Sequence, residues 1–448
     1  MIKNYVIDTN VAIHDPDFLQ KFEDNNIILP ITIIEELDNL KRREGIVGYN
    51  ARMASRNIDK IRSRGSLNQG VELPSGGMLR IELNHLDFSD LPIGLDPEKN
   101  DNRILAITSN LKRMNPDIET ILVTKDICMS IKADALGLTV QDYENDKILV
   151  DEFYKGYSSI FLLSKEIDII YDGGLVYQPE DDIYPNHFFQ IFAIDNPAHT
   201  LLAQFNGEKI IPLKYSNEIA WGLKPINLEQ KMAFELLMNP EVHFVSISGN
   251  AGSGKTIVST AVALQKVIES GEYNKIVFVR PVVSAGNDIG FLPGTEEEKL
   301  RPWMGSFYDS IENLLDGRYE KRNQKKDKSD SVIVDSMIEY WRAQGIIETK
   351  TFTYMRGRTF NKSIVLVDEA QEITPHLAKL MLTRAGFDSK FVFIGDPSDN
   401  QIDNTLVSSK SNGLVYAIEK MKGSKLTGHV TLNQVERSPL AKEAEKNL

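Results

Sequence analysis

Short apolar runs that end in an acid, alternating with longer amphipathic stretches, mark both ends of this chain, and the middle breaks that rhythm. Tyr5-Val-Ile-Asp8 and Ile121-Leu-Val-Thr-Lys-Asp126 are short β-rich runs, each closed by an aspartate. Ile27 to Ile34 predicts another strand, with Glu35-Glu36-Leu37-Asp38 at the start of the helix that follows, and Asp101 opens an amphipathic helix over Asn102 to Met114. Farther on, His243 to Ser248, Ile364-Val-Leu-Val before Asp368-Glu369, and Phe391-Val-Phe-Ile-Gly-Asp396 predict three more strands. The unbroken run from Ile364 suits a strand covered on both faces, and so a parallel sheet; the fold class is α/β. Residues 160–215 instead alternate over Glu166 to Tyr171, His187 to Ile194 and Leu201 to Leu213. Gly173-Gly174 and Asn206-Gly207 sit where tight hairpin turns are expected, so a small antiparallel β module is predicted there, either an OB-like or SH3-like barrel touching RNA or a spacer.

The strand at 243–248 runs into Gly249-Asn250-Ala251-Gly252-Ser253-Gly254-Lys255-Thr256, the G-x-x-x-x-G-K-T of a phosphate-binding loop. Its glycines let the backbone curl so that N–H groups point inward at a triphosphate, and the helix opening near Thr256 aims its positive end at the same anion. Lys255 would neutralise the β and γ phosphates, and the Thr256 hydroxyl would help to hold Mg²⁺. Asp368 is placed to bind that Mg²⁺ and Glu369 to polarise the attacking water. The N-K-x-D element of a GTPase is absent from any suitable place, which favours ATP.

Asp8 and Asp126, at the ends of parallel strands, would share one sheet edge, and Glu36 and Asp101 can join them. Clustered carboxylates repel one another and persist together when cations neutralise them, so Mg²⁺, with Mn²⁺ as an alternative, is implied. Such a site can activate water against a phosphodiester. Taken singly these acids have plainer explanations: Asp101 as a helix cap, Glu36 as a solvated side chain.

Asp8-Thr9-Asn10, Glu36-Leu37, Asp101-x-x-Ile104 and Thr124-Lys125-Asp126 follow the order and spacing of PIN-domain ribonucleases, which the N-terminal part resembles. The C-terminal half resembles the PhoH family through Trp221 to Gln230, Val279-Arg280-Pro281, Asp288 to Gly294, Glu298 to Trp303, Arg356-Gly357-Arg358, Asp368-Glu-Ala-Gln371, Leu382-Thr-Arg384 and Ser411-Asn-Gly-Leu414. The resemblance implies an ATP-driven RNA helicase joined to a divalent-metal-dependent ribonuclease. It implies catalytic Asp8, Glu36, Asp101 and Asp126, and a nucleotide site that includes Gln230. The last strand, Gln401 and Glu436-Arg437-Ser438 resemble the later elements of helicase-type ATPases, where the glutamine senses the γ phosphate and the arginine stabilises transition-state charge. The family pattern Gly-Asp-x-x-Gln is two residues longer here, as Gly395-Asp-Pro-Ser-Asp-Asn-Gln401. The expected layout is a PIN-like parallel-sheet domain at 1–145, a β-rich connector at 150–220 and a RecA-like P-loop ATPase at 221–448.

The 448 residues are too many for one ordinary domain. One cysteine, Cys128, excludes a disulfide framework and suits a reducing, cytoplasmic setting, and no apolar stretch approaches membrane-spanning length. A net charge of −13 makes RNA binding a local matter. Arg52, Arg56, Lys60 and Arg64 recur every four residues along a helix predicted over Tyr49 to Arg64, with Ala54, Ile58 and Ile61 on another side; a solvated face is the plainer explanation, and the position between Glu36 and Asp101 keeps an RNA contact in view. Glu320 to Ser329 is a charged insertion without apolar period. Arg280, Arg356 and Arg358 are further RNA candidates, and each would equally pair with an acid. With one P-loop and one ATPase core, an arginine from a second subunit, Arg437 or alternatively Arg384, would complete the site, so a homo-oligomeric ring, a hexamer, acting on single-stranded RNA is expected. Two rivals keep the P-loop: a nucleotide-switched RNA-binding protein whose acidic cluster is structural, and an ATP-dependent phosphotransferase.

Overall fold

The computed structural model describes residues 2–43, 45–84, 87–89, 91–92, 94–143, 153–179, 183–281, 304–320, 330–350, 352–355, 357–404 and 406–434. The chain divides into two compact units, Met1–Asp146 and Lys147–Leu448.

The first unit is built on six strands: β1 (Asn4–Ile7), β2 (Asn26–Pro30), β3 (Val71–Glu72), β4 (Met78–Glu82), β5 (Thr120–Thr124) and β6 (Thr139–Asp142). They lie in the order β3-β4-β2-β1-β5-β6, parallel except for β3. Val6, Ile28 and Leu122 bury one face of this sheet against Ile104, Ile107 and Leu111 of the helix Asn100–Met114 and Met129 of the helix Ile127–Ala135. The apolar run from Ile27 does not stay a strand to Ile34. It ends at Pro30, and a helix runs over Ile31–Leu40, placing Glu36 in mid-helix rather than at a helix start. An apolar run alone fits a strand or a buried helix turn, and here Thr32, Ile33 and Leu37 recur with helical spacing on the buried side. The helix Gly45–Arg62 buries Ala54, Ile58 and Ile61 as expected and ends before Arg64.

The second unit opens with β7 (Tyr157–Leu162), β8 (Leu175–Val176), β9 (Phe188–Ala193), β10 (Thr200–Phe205) and β11 (Lys209–Pro212). The order is β7-β9-β10-β11-β8, with β7 parallel to β9 and the other pairs antiparallel. Among the described residues nothing pairs β7 with β8, so the sheet is open rather than a barrel. Glu166 to Tyr171, read as an alternating strand, is part of a helix, Ser164–Tyr171. Ile167 and Ile170, three apart, reach the core, while the Glu166 carboxylate accepts the Leu163 N–H at 2.8 Å and closes the first turn. Gly173 and Gly174 therefore end this helix instead of turning a hairpin, and Gly174 N–H bonds the carbonyls of Ile169 and Ile170. Asn206-Gly207 does turn the β10–β11 hairpin, with Gly207 at φ +100°.

Six further strands, β12 (Phe244–Gly249), β13 (Lys275–Val279), β14 (Ile347–Lys350), β15 (Ser363–Val367), β16 (Lys390–Gly395) and β17 (Thr427–Leu432), form an all-parallel sheet ordered β14-β13-β15-β16-β12-β17. Every residue of β12, β15 and β16 is buried, which explains the apolar runs Ile364 to Val367 and Phe391 to Ile394, while the two serines of β12 are satisfied by β17, Ser246 by His429 and Ser248 by Thr431. β12 lies between β16 and β17, and the chain reaches β13 only by crossing past β16 and β15. The loop after β12 thus opens at a switch in strand order, at the carboxyl ends of the strands, where ligands of open α/β sheets bind. The small sheet is docked within this same unit: Phe188 joins the large core, and Asn186, at φ +67°, donates to the carbonyls of Lys425 at 3.0 Å and Thr427 at 2.8 Å. Among the described residues no helix is long and apolar enough to cross a membrane.

Candidate functional site

At the end of β12 the backbone departs from ordinary geometry. Gly249, Gly252 and Gly254 have φ of +135°, +83° and +90°, and Gly254 caps the helix Lys255–Leu264 in the left-handed region. A Cβ on Gly249 would stand 2.0 Å from the Leu432 carbonyl oxygen, so β17 itself forbids a side chain there. Asn250 and Ala251 are exposed at the tip, and the buried Ser253 closes the loop by donating to the Asn250 carbonyl at 2.9 Å. Lys255 Nζ reaches back to the carbonyls of Gly249 at 2.5 Å and Asn250 at 2.7 Å, which holds its charge over the loop.

Across from the loop, β15 delivers Asp368, whose backbone N–H bonds Val279 O at 2.9 Å. The Thr256 hydroxyl donates to Asp368 Oδ1 at 3.3 Å and the Ser306 hydroxyl to Oδ2 at 2.7 Å. Burial, then the neighbouring negative charge of Glu369, push the Asp368 carboxyl above its ordinary range, against the pull of Ser306 and Arg280. A buried carboxylate beside two hydroxyls is a hard-oxygen donor set, and a divalent cation would cancel the charge that makes its burial costly, so these residues fit Mg²⁺. Glu369 is a non-glycine residue at φ +52°, ψ +45°. Such a conformation costs about 1–2 kcal/mol and is kept only where surroundings enforce it.

Gln371 holds the side chain that this turn presents. Its amide donates to Glu369 Oε2 at 2.7 Å and to the Gln401 carbonyl at 3.1 Å, and its oxygen accepts the Asp396 N–H at 3.1 Å. A Cβ on Gly395 would come within 2.3 Å of Gln371 Oε1 and would push that amide out of place. Glu372 then pins the next loop by accepting the N–H groups of Asp403 at 2.9 Å and Asn404 at 2.8 Å. Gln401 is thus held by its main chain, with its side chain exposed. Gln230 is buried, and its side chain bonds Ile226 N and Ser253 O, bracing the loop from behind. Arg280 pairs with Glu369 at 3.2 Å and Arg358 lies 4.0 Å from Glu348, so both arginines have acidic partners. Arg384 follows the helix Pro375–Leu382, which returns the chain toward the start of β16, the edge opposite the P-loop. Arg437 and Arg356 lie outside the described residues, as do Asp288 to Gly294, Glu298 to Trp303 and all but the first residue of the charged insertion.

In the first unit Asp8 follows β1 and is almost wholly buried, its N–H bonded to Val123 O at 2.9 Å. The Thr124 hydroxyl donates to Asp8 Oδ2 at 2.6 Å. Burial first, with the charges of Asp101 and Glu36 behind it, pushes the Asp8 carboxyl up to about 6. Asp101 and Glu36 therefore each lie within electrostatic reach of Asp8. Glu36 Oε1 accepts the Asn100 amide at 2.6 Å, and Asp101 pairs with Lys132 at 3.4 Å. Asp126 turns Oδ1 to cap the helix Ile127–Ala135 through the N–H groups of Cys128 at 2.7 Å and Met129 at 3.1 Å. Among the described residues no three His, Cys, Asp or Glu side chains close around one metal-sized point. A cation that keeps most of its waters, as Mg²⁺ does, is what one or two carboxylates of such a set would suit.

Ser306, Gln371, Glu372, Thr124 and Asn100 had no role in the sequence reading. Gln371 and Thr124 stand inside short motifs that were legible, whereas Ser306 and Asn100 meet their partners only through the fold.

The family described as "PhoH-like protein" matches residues 222–448, and the family described as "PIN domain" matches residues 5–144. The chain is 37% identical over 454 aligned residues to "Protein PhoH2" of Bacillus subtilis (strain 168), covering 99% of both chains. It is 33% identical to the proteins of that name from Thermobispora bispora, over 98% of this chain and 95% of the other, and from Mycolicibacterium smegmatis with the same coverage. The chain belongs to the PhoH-like family, with a PIN domain ahead of its PhoH-like half.

Proposed function

We propose that this chain is an ATP-dependent RNA helicase or translocase coupled to a divalent-metal-dependent endoribonuclease. The observation that carries the ATPase part is the meeting of the P-loop Thr256 hydroxyl with the Asp368 carboxylate, beside Ser306 and Glu369. In this reading Lys255 and the loop N–H groups hold the β and γ phosphates, Thr256 and Asp368 hold Mg²⁺, and Glu369 orients a water and takes its proton. The bound cation supplies charge neutralisation for the transferring phosphoryl group. In the PIN-like part, Asp8, Glu36, Asp101 and Asp126 are the residues that would hold Mg²⁺ or Mn²⁺ at a phosphodiester, Asp8 needing that charge most because it is buried.

The working form is a homo-oligomeric ring, a hexamer, on single-stranded RNA, in the cytoplasm, with the nuclease at 1–145, the β-rich connector at 150–220 and the ATPase at 221–448. The test is cleavage of labelled RNA by the full chain against divalent concentration, with and without ATP. Cleavage that needs the metal and responds to ATP supports the coupled enzyme. ATP hydrolysis without cleavage under any divalent condition would reduce the chain to a nucleotide-switched RNA-binding protein.

A further inference from the structure

Both oxygens of the Glu369 carboxylate are occupied. Gln371 donates to Oε2 at 2.7 Å, and Arg280 donates to Oε1 at 3.2 Å while its other terminal nitrogen bonds Ser306 Oγ at 3.2 Å. The two contacts differ in consequence. A neutral amide orients a carboxylate; a guanidinium also neutralises it and so weakens its pull on a water proton. Arg280 is the residue after β13, placed beside Glu369 by the register Val279 to Val367. Its side chain is a quarter exposed, at the carboxyl edge of the sheet where the nucleotide crevice opens.

We propose that Arg280 is the residue through which RNA turns on ATP hydrolysis. At rest the Arg280–Glu369 pair holds the base inactive; a backbone phosphate of bound single-stranded RNA takes the guanidinium and frees Glu369 for the attacking water. Planar guanidinium groups bind phosphate oxyanions bidentately, so the exchange trades one charged partner for a better one. The nucleotide's own phosphates already have Lys255 and the loop N–H groups, which leaves the polynucleotide as the anion for Arg280. This inference rests on the reading of Glu369 as the base of an RNA-linked ATPase. A partly exposed pair is a weak latch, so its release should raise turnover by roughly 5-fold rather than by orders of magnitude.

The experiment measures steady-state ATP turnover of the full chain with and without a single-stranded RNA oligonucleotide, for wild type, Arg280→Gln and Arg280→Lys. Wild type should be stimulated by RNA; Arg280→Gln should be roughly 5-fold faster than wild type without RNA and gain nothing more from it. Arg280→Lys keeps a charge without the fork and should fall between, which also covers a failure of Arg280→Gln to fold. Turnover that drops in both variants, with and without RNA, would mean that the guanidinium serves the nucleotide or the site's structure, and would overturn the latch. Variants that match wild type without RNA and are still stimulated would overturn it too. A wild type with no ATPase activity under any condition would instead defeat the underlying ATPase reading.

Discussion

The Gln371 amide grips the Glu369 carboxylate at 2.7 Å while its oxygen receives the Asp396 N–H at 3.1 Å, so one side chain ties the end of β15 to the loop after β16. If Glu369 is the base, this tie sets its aim. Gln371→Ala should lower ATP turnover by about 10-fold with nucleotide affinity little changed, because the lost contact orients a proton acceptor and touches no phosphate. It also leaves a buried N–H without a partner, at a cost of about 1–3 kcal/mol in stability, which urea unfolding would register. Unchanged turnover in a folded variant would show that Glu369 keeps its aim without help.

Three variants separate the chemistry of the two units. Lys255→Ala should weaken ATP binding and Glu369→Gln should bind ATP but hydrolyse it slowly, with turnover down roughly 10²-fold or more in each. Asp8→Asn, paired with Asp126→Asn, removes metal-binding charge at nearly constant volume, and asparagine still caps the helix that Asp126 opens. RNA cleavage should collapse in that double variant while ATP turnover stays near wild type. Wild-type cleavage by the double variant would move the nuclease elsewhere.

Local signatures explain which parts of this were legible in the sequence. The P-loop and the acids that end β1 and β15 follow from apolar strands and from glycines that take positive φ, both properties of a few adjacent residues. The helix Ser164–Tyr171 is not legible locally, because Glu-Ile-Asp-Ile alternates as a strand would and only burial of Ile167 and Ile170 against β9 to β11 decides for a helix. In the sequence Arg280 stands equally as an RNA contact or as the partner of an acid, and its pairing with Glu369 depends on two strands meeting in register, which no local pattern encodes.

Two buried histidines give the second unit a defined response to acid. His187, between the Tyr154 hydroxyl at 3.0 Å and the Ser158 hydroxyl at 2.9 Å, is pushed down to about 4 by burial. His429, lodged against Ser246, is pushed down to about 3 for the same reason. Both stay neutral in the folded chain and protonate first in the unfolded one, so their contribution is full above the unfolded value of about 6.5 and is lost as pH falls below it. Each should withdraw about 2 kcal/mol between about pH 7 and pH 5. All three tryptophans, Trp221, Trp303 and Trp341, belong to the second unit, so urea unfolding followed by tryptophan fluorescence reports on it alone. His187→Asn should flatten the pH dependence by about one histidine's share; a slope identical to wild type would assign the acid response to other groups.

The ring reading makes a prediction of a different kind, about which subunit completes the ATP site. Arg384 lies past the helix Pro375–Leu382, toward the start of β16 and away from the P-loop of its own chain, and Arg280 is held by Glu369 at rest and by RNA in the latch proposed above. A cation for the γ phosphate would then come from a neighbour, as Arg437 or Arg384, through a head-to-tail contact that closes when the rotation permits. Lys255→Ala subunits lack the P-loop lysine but keep Arg437, and Arg437→Ala subunits carry the reverse defect. Mixed in one ring, some interfaces unite an intact loop with an intact arginine, so ATP turnover should recover to roughly a quarter of wild type at equal mixing, against near zero for either variant alone. The same experiment with Arg384→Ala in place of Arg437→Ala tells which arginine crosses the interface. No recovery in either mixture, together with a monomeric mass by light scattering in the presence of ATP and Mg²⁺, would exclude a ring and return the search for that cation to the subunit's own residues.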